Sequence, residues 1–136
     1  MGLDVGDRTI GVAISDPLGL TAQGVEVIKR RRPEDDLRRL RELVGEYEVG
    51  EIVVGLPRNM DGSHGPRVFT TREFIEYVQP HLAVPVHEWD ERLTTAAAQR
   101  LLIEADISRR GRKKVIDKMA AQLILQGFLE VRKKDL

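Results

Sequence analysis

An acid in the middle of an apolar strand constrains this chain more than any other feature. Two short apolar runs, Gly2–Val5 and Ile10–Ile14, flank Gly6-Asp7-Arg8-Thr9, which is the pattern of a β-hairpin. Asp4 falls between Leu3 and Val5. A carboxylate on a strand destined for burial is costly unless a hydrogen-bond network or a cation compensates it. A divalent metal is the working reading, and it requires further carboxylates elsewhere in the chain.

The 136 residues suffice for one domain, 1–136, with a real core. With 41% apolar and 32% charged residues the chain reads as globular rather than disordered. The absence of cysteine excludes a disulfide framework and a thiolate metal site. No apolar run approaches the roughly 18 residues of a membrane span, and no basic segment followed by an apolar one opens the chain. The expectation is a cytoplasmic protein with no membrane partner. Lys and Arg balance Asp and Glu at 22 each, which weakens a global electrostatic argument for nucleic-acid binding. The bases are nevertheless clustered, at Lys29–Arg32, Arg109–Lys114 and Arg132–Lys134.

Along the chain, a third strand is predicted around Gly24–Lys29. Pro33-Glu34-Asp35-Asp36 suits a helix start, and Leu37, Leu40, Leu43, Val44 and Tyr47 share one helical face. Ile52–Leu56 reads as a strand covered on both sides, followed by a polar loop from Pro57 to Pro66. A second helix turns Phe74, Ile75 and Val78 inward. A strand over Val84–Trp89 runs into Asp90-Glu91-Arg92, and Thr94 or Thr95 caps a third helix to about Ala105. Arg109–Lys114 reads as a basic loop. A last helix over Val115–Val131 is expected to present Ile116, Met119, Ala120, Leu123, Phe128 and Val131 inward. The order β-β-β-α-β-α-β-α-α predicts an α/β fold. Its mixed five-stranded sheet joins an antiparallel three-strand meander to parallel strands, with helices flanking it.

Ligands of open α/β sheets collect beyond the carboxyl ends of the parallel strands, where Asp90 and Glu91 lie. Asp117 falls in the first turn of the expected last helix. Three acids from three distant segments could converge on one or two Mg²⁺ or Mn²⁺ ions. Each has a plainer role available: Asp117 as a helix-dipole acid, Asp90 or Glu91 as a loop acid paired with Arg92. Asp4 has the fewest structural excuses. His64, His81 and His87 show no metal-ligand spacing, and only His64, in the polar loop, stays in view. Trp89 reads as packing rather than as a base-stacking platform.

Four separated motifs carry a resemblance to a known family. They are Leu3-Asp4-Val5-Gly6 with Ile10-Gly11-Val12-Ala13, Ile52–Pro57 with Asn59-Met60-Asp61-Gly62, Asp90–Thr95, and Ile116-Asp117 with Ala120-Ala121. Together they resemble the YqgF/RuvX family, RNase H-like bacterial nucleases described as Holliday junction resolvases and as pre-16S rRNA processing nucleases. The resemblance covers nearly the whole chain. It implies an RNase H-like fold and hydrolysis of phosphodiesters with Mg²⁺ or Mn²⁺. By motif, Asp4, Glu91 and Asp117 match the catalytic metal ligands, with Asp90 retained as an alternative to Glu91. Arg8, Arg58, Asn59, His64, Arg92, Arg109, Arg110, Arg112, Lys113 and Lys114 are then expected to hold nucleic-acid phosphates. The implied partners are structured RNA or branched or single-stranded DNA, with ribosomal precursor particles behind the RNA reading. Both a monomer and a homodimer are open.

Two other classes compete. Asp4-Val5-Gly6 with Gly11-Val12-Ala13 also resembles the first phosphate loop of the actin/Hsp70 superfamily, but 136 residues supply one lobe where two enclose ATP. A non-catalytic RNA- or ribosome-binding module would keep the same acids as a relic.

Overall fold

The computed structural model describes residues 1–56, 65–90 and 109–134, without the side chains of 66, 67, 109–117, 133 and 134. Five strands form one sheet: β1 (Gly2–Val5), β2 (Thr9–Ser15), β3 (Ala22–Lys29), β4 (Ile52–Leu56) and β5 (Val86–Asp90). Their spatial order is β3-β2-β1-β4-β5, with β1–β2 and β2–β3 antiparallel and β1–β4 and β4–β5 parallel. This is the mixed sheet expected, with β3 starting at Ala22 rather than Gly24 and β5 running from Val86 to Asp90. The Gly6–Thr9 turn closes the hairpin as the Gly6 N–H donates to the Thr9 carbonyl at 2.8 Å.

Among the described residues three α-helices cover the sheet: α1 (Pro33–Glu46), α2 (Pro66–Val78) and α3 (Arg109–Lys134). One face carries a core in which Leu3, Val5, Ile10, Val12, Ile52, Val54 and Leu56 meet Leu37, Leu40 and Leu43 of α1 and Phe74, Ile75 and Val78 of α2. The other face meets α3: Ala13, Val53 and Trp89 pack with Ala121, Ile124, Leu125 and Leu129. Trp89 lies edge-on to Phe128 at 6.3 Å, so it packs as expected. Among the described residues no helix is long and apolar enough to cross a membrane.

The last helix departs from expectation in two ways. It begins at Arg109, so the basic run Arg109–Lys114 occupies its first turns instead of a loop. Arg and Lys are good helix formers, and the one interior glycine there, Gly111, costs only about 1 kcal/mol. Its inward stripe is Ala121, Ile124, Leu125 and Leu129; Met119, Ala120, Leu123 and Phe128 are half-buried and Val131 is exposed. The side chain of Ile116 lies outside the described residues. Glycine on the sheet decides which stripe turns inward: a Cβ on Gly2 would stand 2.7 Å from the Leu125 Cβ and 2.9 Å from the Ala121 carbonyl. A Cβ on Gly24 would stand 3.0 Å from Lys118 in the same way. Gln126 accepts from the Ala22 N–H at 3.0 Å, and Gln122 accepts from the Gly24 N–H at 3.4 Å. As β3 ascends from 22 to 24, its contacts on α3 step back from 126 to 122 and 118. The helix therefore runs antiparallel to β3, and to β1, which β3 parallels.

α1 ends in a turn that glycine normally closes. Val49 N–H donates to Val44 O and Glu48 N–H to Gly45 O, with Glu48 left-handed at φ 51°. The motif is a Schellman cap with a carboxylate-bearing residue at its left-handed position.

Candidate active site

Side chains alternate along a strand, and that alternation sorts the candidate acids. Leu3 and Val5 enter the α1/α2 core, so Asp4 shares the α3 face with Gly2. It is half-buried and paired across the hairpin with Gly11. The register continuing from Leu3–Val54 sets Gly55 on its other flank. With glycine at both positions, neither flanking strand places a side chain at that level.

The direction of α3 brings residue 117 to the same level. Ala121 lies over Gly2. Position 117 is one turn, about 6 Å, back along the helix. Asp4 is two residues, about 6.7 Å, up the strand from Gly2. Because helix and strand are antiparallel, both steps lead the same way. Asp117 is thus in the third turn of α3, not the first, and the helix-dipole role does not apply at that depth.

Asp90 ends β5 at the same edge of the sheet. Its neighbours by alternation are Val86, packed on the α1/α2 core, and Glu88, paired with Arg72 of α2. Trp89 is the residue of that stretch on the α3 face. The strand therefore directs Asp90 away from the face that Asp4 occupies. Glu91, Arg92, Arg58, Asn59 and His64 lie outside the described residues, as does the expected helix from Thr94 or Thr95 to Ala105. Arg8 is exposed in the hairpin turn, at the carboxyl end of β1. Arg109, Arg110, Arg112, Lys113 and Lys114 lie on the part of α3 that reaches this same end. Among the described residues no three metal-ligating side chains gather into a cluster.

One residue of the Lys29–Arg32 run has a different role. Arg30 donates from Nη1 to the Gly6 carbonyl at 2.7 Å and from Nε to Asp36 at 3.3 Å, and its guanidinium stands 5.5 Å from the Phe74 ring. It fastens the hairpin turn to both helices of the opposite face. Asp36, only 3% exposed, also accepts from the Arg31 N–H. In the sequence Asp36 is only one more acid in the first turn of a helix. The signal that could have found it is an arginine six residues upstream, just outside that helix.

At the far end of the sheet Glu51 accepts from Arg132 and pairs with His87 at 2.8 Å. The Arg132 bond first, then His87, holds Glu51 below the usual carboxylate range. His87 is thus bound to a carboxylate far from Asp4.

The acids expected from the sequence, Asp4, Glu91 and Asp117, would offer only carboxylate oxygens, a donor chemistry that fits a hard divalent cation such as Mg²⁺ or Mn²⁺. Residues 1–131 match the model of a family described as RuvX: Holliday junction resolvase. A relative from Halothermothrix orenii named "Putative pre-16S rRNA nuclease" is 61% identical over 134 residues, covering 98% of this chain and 96% of its own length. Relatives of the same name from Symbiobacterium thermophilum and Desulforamulus reducens are 60% and 57% identical, each over 96% of this chain and over 91% and 95% of their own lengths. Among solved structures, Thermus thermophilus RuvC in complex with a Holliday junction superposes with a TM-score of 0.61 at 16% identity, over 98% of this chain and 94% of that one. At that identity the likeness is one of fold, and the fold is RNase H-like.

Proposed function

Because the chain belongs to the RuvX family, we propose that it is a metal-dependent nuclease that hydrolyses phosphodiester bonds during maturation of the 16S rRNA precursor. The names of the relatives support the substrate. The observation that carries the site is the antiparallel stacking of α3 on β1, which brings position 117 level with Asp4 at the carboxyl ends of the parallel strands.

Asp4, Glu91 and Asp117 are the residues that would hold Mg²⁺ or Mn²⁺. When bound, the cation supplies Lewis-acid activation of water and charge neutralisation at the leaving oxygen. The chain's own residues do the rest. Asp4, carried on a strand at the centre of the sheet, and Asp117, carried on the helix across it, would present the acids to the arriving substrate. Gly11 and Gly55 leave the lane beside Asp4 clear for a sugar-phosphate backbone. Arg8 and the Arg109–Lys114 run, with Arg58, Asn59, His64 and Arg92, hold flanking phosphates. Such contacts position a strand without reading its sequence. The direction of Asp90, away from the face that Asp4 occupies, argues against it as the third acid and leaves Glu91 in that role.

The test is cleavage of labelled 16S rRNA precursor and of a four-way DNA junction side by side, with Mg²⁺ or Mn²⁺. Metal-dependent cleavage of the precursor is expected, falling at least about 100-fold in Asp4→Asn while nucleic-acid binding persists. Asp90→Asn should keep most of the activity and Glu91→Gln should lose it. Full activity in Asp4→Asn would overturn the site, and cleavage confined to the junction would overturn the substrate.

A further inference from the structure

The turn that joins β1 to β2 is not one that its own residues hold shut. Its central pair is Asp7-Arg8, and neither residue has a left-handed backbone. The two-residue turns that close hairpins by themselves need that conformation at one or both central positions. Arg30, just past the end of β3, supplies the missing restraint from outside. Its N–H donates to the Arg8 carbonyl at 2.9 Å, and its Nη1 donates to the Gly6 carbonyl at 2.7 Å. One residue thus grips both limbs of the turn.

The two arginines are in opposite electrostatic situations. The Arg30 guanidinium faces the buried Asp36 carboxylate at 3.3 Å and the Phe74 ring at 5.5 Å, so its charge is already answered inside the protein. Arg8 is exposed and pairs with no carboxylate among the described residues. Asp4 does not depend on the turn, because its strand lies between β2 and β4. Arg8, four residues further on, does.

We infer that Arg30 is a positioning residue for nucleic acid. It fixes the turn so that the Arg8 guanidinium stands ready beside the acids for a phosphate of the substrate strand, and it touches no nucleic acid itself. The identity of that ligand rests on the function proposed above. Without the grip of Arg30, the turn and the long Arg8 side chain are ordered only when the strand binds, and ordering at that moment costs affinity. The inference separates two roles among the bases at this end of the sheet: Arg8 meets the phosphate, and Arg30 keeps Arg8 in place.

The test is a double-mutant cycle on binding of a fluorescein-labelled single-stranded RNA from the 16S precursor, read by anisotropy across a salt series. All variants carry Asp4→Asn, so that cleavage does not intrude. Arg30→Lys keeps a cation opposite Asp36, but an ammonium lacks the fork that reaches Gly6 at the same time. Arg8→Gln should weaken binding several-fold and make its dependence on log[salt] shallower by roughly 0.7. Arg30→Lys should do the same although no charge is lost, and should add less than about twofold on top of Arg8→Gln. The Gly6 amide should also exchange faster with solvent in Arg30→Lys. Phe74→Leu, which uncovers the guanidinium and keeps the core apolar, is the second variant and should couple to Arg8→Gln in the same sense. Parent-like RNA affinity in both Arg30→Lys and Phe74→Leu, or losses that add in full to that of Arg8→Gln, would overturn the inference alone. No RNA binding by the Asp4→Asn parent would overturn the nucleic-acid reading and this inference together.

Discussion

Arg30 and Asp36 show how much depends on single side chains remote from the acids. The guanidinium joins the Gly6 carbonyl, the Asp36 carboxylate and the Phe74 ring, so the turn that closes the Asp4 hairpin is held through it. Replacing Asp36 with Ala leaves a partly buried cation without its carboxylate. A fully buried pair broken this way costs roughly 3–5 kcal/mol; with Arg30 26% exposed at its side chain, about 2–4 kcal/mol is expected, read as a fall in urea midpoint. The contrast with Asp4 shows what a sequence reveals. Asp4 interrupts a local apolar pattern and is visible at once. Asp36 obeys the local pattern of a helix start, and only the return of Arg30 over it makes it a buried partner.

Among the elements, α3 was the least legible. Its basic first turns look like a loop because charge and Gly111 mask good helix propensity. Its inward stripe is hidden because Met119 to Leu125 is apolar on nearly every side, so a period of 3.6 selects no face. The stripe is chosen by Gly2 and Gly24, more than 90 residues away in the chain. The hairpin was legible from two apolar runs about a Gly-Asp-Arg-Thr turn, and α1 from an apolar stripe on one side only. The far end of α3 is tied down by Glu51, whose depressed pKa fixes the sign of a pH effect. A carboxylate with a folded-state pKa below its unfolded one stabilises fully above the ordinary glutamate value of about 4.3. That contribution disappears as pH falls through the lower, folded value. Since Glu51 is a third exposed at its side chain, Glu51→Gln should cost no more than about 1 kcal/mol at neutral pH. The gap between variant and parent in urea unfolding should narrow as pH falls below the ordinary glutamate value.

Over the whole molecule, a net charge of zero conceals charges that the fold sorts locally. The carboxyl ends of the parallel strands collect Arg8, the end of β3 and the basic start of α3, while at the other end Arg132 is paired with Glu51. Composition could not show this, because it sums what the fold separates. Replacing Arg109, Arg110, Arg112, Lys113 and Lys114 with Gln should weaken RNA binding and make its dependence on log[salt] shallower by roughly 0.7 for each phosphate no longer neutralised. A titration of affinity against salt checks this, and an unchanged slope would remove that helix from the substrate path.

The bonds from Gln122 and Gln126 to the amides of Gly24 and Ala22 bear on the fate of the protein at high concentration. β3 is an outer strand of the sheet, and free amides along such a strand invite another chain to add to it. The two glutamines occupy those donors from within the same molecule. Gln122→Ala with Gln126→Ala should therefore leave the monomer folded but shorten the lag before thioflavin-positive aggregates form on agitation, with a lag equal to that of the parent counting against the role. On this view part of α3 works as insulation, keeping copies of the protein from joining sheet to sheet.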